Sequence, residues 1–179
     1  MKNDQREEIK QQIREAFGSL ERPGNWALRG SSEGSEPYEI AEAFKDKPDW
    51  QSLDADFLDD YKHGITSALS FFSDEAFRYF LPAYLIADLD GKLTEVDPVF
   101  HLCHGLSDRS KTEKVNPRRF GDQTWWDAGI HKFSLFTRQE AQAIVVYLQY
   151  KLTDPNLFEN DRASIEQALK NYWLERAQD

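Results

Sequence analysis

One stretch constrains this 179-residue chain more than any other: "FFSDEAFRYFLPAYLIADL", residues 71–89. Ser73 stands where an N-cap belongs, its hydroxyl oxygen able to accept a first-turn N–H. Asp74 and Glu75 follow, where the positive end of a helix favours carboxylates. From Phe77 onward apolar residues run nearly all round the helical wheel, and a helix apolar on every side has to be buried. Pro82 falls inside it, lacking an N–H for the preceding turn and crowding the carbonyl four residues back, so a kink is expected there. The rest of the chain has to wrap around this segment.

The flanking patterns are also helical. Ile9, Ile13, Ala16 and Phe17 form a narrow apolar stripe over residues 1–17, with Gly18 as a stop. Residues 18–37 collect Gly, Ser and Pro and read as a flexible connector. The remainder, 38–179, reads as a helical domain. "PYEIAEAF" starts on a proline suited to a first turn. "LDADFLDDYKHG", residues 53–64, places Leu53, Phe57 and Tyr61 on one face and acidic residues on another. "DPVFHLCHGL" suggests a short helix with Asp97 as cap. Residues 105–132 read as polar and irregular. "FTRQEAQAIVVYLQYKL" has a capping box in Thr137 and Glu140 with Phe136 as staple, and "DRASIEQALKNYWLERA" is helical through Ile165, Ala168, Leu169, Tyr172 and Trp173. No period-two run stands out. The expectation is an all-α, single compact multi-helix domain of about six helices around a Pro-kinked core helix.

Two of these blocks carry a likeness. "FRYFLPA", residues 77–83, resembles the hallmark helix of a family of uncharacterised bacterial proteins, and "FTRQE", opening residues 136–152, resembles its second block. Trp50, upstream of the acidic segment, is in keeping. The likeness covers residues 36–152. It implies a mainly helical domain and transfers no catalytic residue.

Charge narrows the function classes. Thirty-two acidic against twenty-two basic residues leave a net charge of −10, which argues against nucleic acid as a partner because such affinity comes from neutralising phosphates. Arg118 and Arg119 beside aromatics do not outweigh that balance. A basic protein partner is compatible, since complementary potentials speed encounter. The single cysteine, Cys103, allows no internal disulfide. The charged N-terminus resembles no signal peptide, and no window approaches the roughly 20 apolar residues of a membrane span, so no membrane partner and a cytoplasmic location are expected.

"YLIADLDGKLTEVD" superficially looks like a calcium loop. With Gly91 at its sixth position, Asp88 and Asp90 fall at the third and fifth. Ile86 then occupies the first ligand position and Asp97 replaces the closing Glu, so the stretch reads as a turn. His101 and His104 share a helix face while Cys103 points elsewhere, short of a zinc-ligand pattern. No phosphate-binding glycine loop or nucleophile elbow is present. The carboxylates Asp54, Asp56, Asp59 and Asp60 read as a solvated acidic face able to engage Lys and Arg, and Trp125 and Trp126 as core plugs or interface anchors. The leading expectation is a non-enzymatic protein-binding domain without metal or cofactor, in its most concrete form an immunity-type inhibitor of a basic toxin, with Asp54, Asp56, Asp59, Asp60, Trp125 and Trp126 at its surface. The alternative is a small metal-dependent hydrolase using Asp54–Asp60 or His101–His104.

Overall fold

Helix α1, Lys2–Phe17, presents Ile9, Ile13, Ala16 and Phe17 as a buried stripe, as their spacing requires. The computed structural model describes residues 2–178, and its contacts divide the chain into two compact units, Met1–Pro98 and Val99–Asp179. Among the described residues every regular element is helical, and the only bridges are isolated ones, Arg29–Phe72 and Lys114–Thr124. The architecture is all-α.

In the first unit, α1 is followed by α2 (Glu36–Phe44), α3 (Ala55–Leu58), α4 (Ala68–Phe71) and α5 (Asp74–Leu89). Helix α5 is the centre: eleven of its sixteen residues are buried, Pro82 among them, and α1 packs along it. Ser73 caps it, accepting the Ala76 N–H at 3.0 Å. Around it Phe44 meets Phe72 at 4.8 Å, Phe80 at 4.9 Å and Phe57 at 5.1 Å between ring centroids. These tilted and edge-on pairs suit the ring quadrupole and add to the area buried.

Residues 18–37, assigned to a connector by composition, are tied to this unit. Leu28 is fully buried, Ser73 N–H donates to the Leu28 carbonyl at 2.9 Å, and Gly30 N–H donates to the Phe71 carbonyl at 2.8 Å. A Cβ on Gly30 would lie 2.5 Å from the Phe72 carbonyl oxygen, so glycine is what lets the two strands of chain approach.

The segment 53–64 departs from its sequence reading. Helix α3 ends at Leu58 after a single turn, Leu58 is the buried residue, and Tyr61 is 73% exposed. A four-apart apolar pattern needs a continuous helix to become a face, and the chain leaves the helix at Asp59.

The second unit holds α6 (Pro98–Cys103), α7 (Pro117–Phe120), α8 (Trp125–Phe133), α9 (Arg138–Lys151), α10 (Glu159–Ala168) and α11 (Leu174–Arg176), the last two joined by a π-helical turn, Leu169–Trp173. Trp173 is its core anchor, fully buried, 4.8 Å from the Phe133 ring, with its indole N–H donating to the Leu102 carbonyl at 2.9 Å. Helix α8 replaces much of the stretch read as irregular. Its start is a capping box: Thr124 Oγ1 accepts the Asp127 N–H at 3.1 Å and the Asp127 carboxylate accepts the Thr124 N–H at 2.8 Å. Gly105, at φ +85°, lets α8 come close, since a Cβ there would sit 2.6 Å from the Trp125 carbonyl oxygen. Six helices of nine residues or more result among the described residues (α1, α2, α5, α8, α9 and α10). The shorter α3, α4, α6, α7 and α11 bring the helices above the expected six or so; α8 is one that was not expected, and the segment at 53–64 keeps only the single turn of α3.

Candidate functional site

The acidic segment is built from four carboxylates with four different duties. Asp54 is the N-cap of α3, accepting the Phe57 N–H at 2.8 Å. Asp56 is exposed in the first turn of α3, where the helix end favours a negative charge. Asp60 sits 2.6 Å from His63 Nδ1, and that contact holds its carboxyl below the usual range.

Asp59 is the exception to a solvated face. Its carboxylate accepts from Thr94 N–H and hydroxyl, both at 2.8 Å, and from Glu95 N–H and Val96 N–H, each at 3.0 Å. Partial burial pushes its pKa up, but the bonds from residues 94–96 together outweigh that and hold it below the ordinary value. It clamps the loop after α5 to the end of α3. Reversing this charge would therefore not leave the fold untouched, contrary to what a solvated helix face implies.

The calcium-like stretch is a helix end followed by a turn. Asp90 is the C-cap of α5, Gly91 takes φ +68°, and Asp90 lies 2.6 Å from the buried Lys10 of α1. Lys10 also meets Glu7 at 2.6 Å.

In the second unit the tryptophan pair turns to intramolecular partners. Trp125 meets the His104 ring edge-on at 4.8 Å, and Trp126 receives Lys111 Nζ at 5.0 Å from its centroid. Both are half-buried, so neither is a fully exposed anchor. His101 meets the Phe100 ring edge-on at 5.3 Å and His104 meets it at a tilt at 5.2 Å. Burial lowers the His101 pKa to about 4, with Lys132 and then His104 pushing the same way. Burial and Lys132 lower His104 as well. Cys103 is buried. Among the described residues no three His, Cys, Asp or Glu side chains gather into a set able to hold a metal ion.

One surface residue escaped the sequence reading. Trp26 is 90% exposed, on the 3-10 turn Asn25–Ala27. That turn is held by Arg22, whose guanidinium donates to the carbonyls of Lys47 (2.7 Å), Pro23 (2.7 Å), Phe44 (2.9 Å) and Lys45 (3.0 Å) and to Asn25 Oδ1 (2.9 Å). From the other side, Ser73 Oγ donates to the Ala27 carbonyl at 2.5 Å. Trp26 is an exposed aromatic on a fixed mount. The signal lay in "RPGNW": Pro and Gly announce the turn, but nothing local says that the indole stays outside.

The model of one family matches residues 5–177, nearly the whole length and well beyond residues 36–152. The chain belongs to the family of unknown function DUF6714. The DUF6714 match takes in α1 and the C-terminal helices, so both units are part of what the family shares. Nothing matches the chain among curated proteins or among solved structures. Among the described residues no helix is long and apolar enough to cross a membrane.

Proposed function

We propose that the chain is a non-enzymatic protein-binding domain that docks a basic protein partner, in its most specific form an inhibitor neutralising a basic bacterial toxin. The observation that carries the reading is Trp26. Tryptophan is the side chain most enriched among binding hot spots, and a mount fixed by Arg22 lowers the entropy lost on docking. The net charge of −10 sets the sign of the partner, and Asp56 is an exposed carboxylate of the acidic segment beyond its helix-end position. Asp54, Asp59 and Asp60 support that surface through their charge while holding local structure.

The test uses the basic product of a neighbouring gene and stopped-flow association at two salt concentrations. Binding should quicken as salt is lowered, because screening acts over roughly 8 Å at physiological ionic strength. Trp26→Ala should weaken the complex by about thirtyfold, mainly through faster dissociation. Asp56→Lys should slow association and flatten its salt dependence. A complex that forms equally well with both substitutions places the binding surface elsewhere. Failure of any basic neighbour product to bind at micromolar concentration removes the reading.

A further inference from the structure

A cleft of about 210 Å³ opens in the first unit between α1, the turn Trp50–Ser52 with the start of α3, and the C-terminal half of α5. Its walls include Arg14, Trp50, Asp54, Ile86, Asp90 and Lys92. The two acids lining it are already engaged: Asp54 caps α3, and Asp90 lies 2.6 Å from Lys10. The cations are not in the same position. Lys10 and Arg14 stand one turn apart on the same face of α1, so when Lys10 takes Asp90, Arg14 is left facing the cleft. Arg14 is half-buried and has no side-chain hydrogen-bond or ion-pair partner among the described residues. Lys92, 64% exposed, lies at the limit of contact with Asp90, 4.0 Å away.

We infer that this cleft is a binding site for a small oxyanion, a phosphate or a carboxylate, held by the Arg14 guanidinium with Lys92 as second cation. The guanidinium fork matches such groups with two parallel hydrogen bonds, and partial burial strengthens them relative to open water. The volume sets the ligand's size. Pockets for drug-sized molecules run to roughly 300–1,000 Å³, so this one suits an anion of few heavy atoms or the anionic end of a longer ligand. Asp54 lines both this cleft and the acidic surface proposed for a protein partner, but the two cations that would hold the anion, Arg14 and Lys92, are not among the residues assigned to that surface.

The experiment titrates inorganic phosphate and, separately, acetate into the full chain while following the Arg14 Nε–Hε resonance by NMR and the heat of binding by calorimetry. Saturable one-to-one binding that moves the Arg14 resonance is expected. The tighter of the two anions identifies the source of the oxyanion. Arg14→Gln should weaken binding by about tenfold or more, Arg14→Lys by less, and Lys92→Gln by about threefold. Arg118→Gln, which changes net charge equally from an exposed position in the second unit, should change nothing. An Arg14 resonance that stays still at saturating phosphate and acetate overturns the inference. So does binding equally strong in Arg14→Gln and in the Arg118→Gln control, which marks general ion association. Should Arg14→Gln fail to fold, the resonance shift in the unsubstituted protein and the Lys92→Gln titration decide.

Discussion

The two units of this chain solve the same problem with different chemistry. The first gathers phenylalanines around α5 and keeps Lys10 and Asp59 charged by giving them partners: Lys10 has Asp90 and Glu7, Asp59 has residues 94–96. The second centres on Trp173, whose indole N–H is satisfied by a backbone carbonyl, and keeps the His101 imidazole neutral. A charged group with good partners favours the folded state over the pH range where it is ionised. An imidazole held neutral by its surroundings favours the folded state only where it would be neutral anyway. The units should therefore lose stability on opposite sides of the neutral range as well as at different acid pH.

The largest effect should come from the cores. Phe44→Ala and Trp173→Ala each remove a fully buried ring and should cost about 4 kcal/mol by denaturant unfolding. Hydrogen exchange should show the lost protection centred in residues 1–98 for the first and in 99–179 for the second. Equal loss throughout in both variants would break the comparison.

Next comes the clamp. Asp59→Ala removes a carboxylate that takes four donors, for a cost of about 2–3 kcal/mol at neutral pH. Because its folded pKa lies below the ordinary 3.8, this stability is present above about that pH and is lost as pH falls through the folded value. The variant and the parent should thus converge in strong acid, and a constant difference down to low pH would show that the bonds are not those of an ionised carboxylate.

His101 sharpens the contrast. Its folded value of about 4 lies below the unfolded 6.5, so the unfolded chain takes up the proton first. Stability is full above about pH 6.5 and is lost as pH falls toward 4, by about 2 kcal/mol between pH 7 and pH 5. His101→Gln should abolish most of that slope. A slope unchanged in the variant would mean that His104 or another group carries it.

The smallest effect is expected at Lys10. The hydrogen bond it donates to Asp90, then that to Glu7, raises its pKa above 10.5 against the opposing effect of burial. Stability from these pairs is present below about pH 10.5 and is lost as pH rises through the raised folded value. Lys10→Met should cost about 1 kcal/mol at neutral pH, since both acids remain partly solvated, and should remove the alkaline loss.

Much of this was legible where local chemistry and the final fold agree. Ser73 and the Thr137–Glu140 box start α5 and α9 as their residue types demand. The same grammar, Thr-x-x-Asp at 124–127, was present for α8 and was obscured by the polar residues before it. The acidic segment was misleading for the opposite reason. Asp59 sits among other acids on a pattern suited to a solvated face, and its partners lie 35 to 37 residues away, where no local rule reaches.

The sequence by itself determined the helical class, the buried α5 and the acidic balance, because periodicity, capping and charge are properties of neighbouring residues or of the sum. Only the tertiary structure decided where those charges are engaged. It assigned Asp90 to Lys10, left Arg14 facing a cleft, used Arg22 to mount an exposed Trp26, and turned Trp125 and Trp126 toward His104 and Lys111. Whether a charge or a ring is engaged or available depends on which distant backbone and side-chain groups come within hydrogen-bond reach, and chain separation carries no record of that distance.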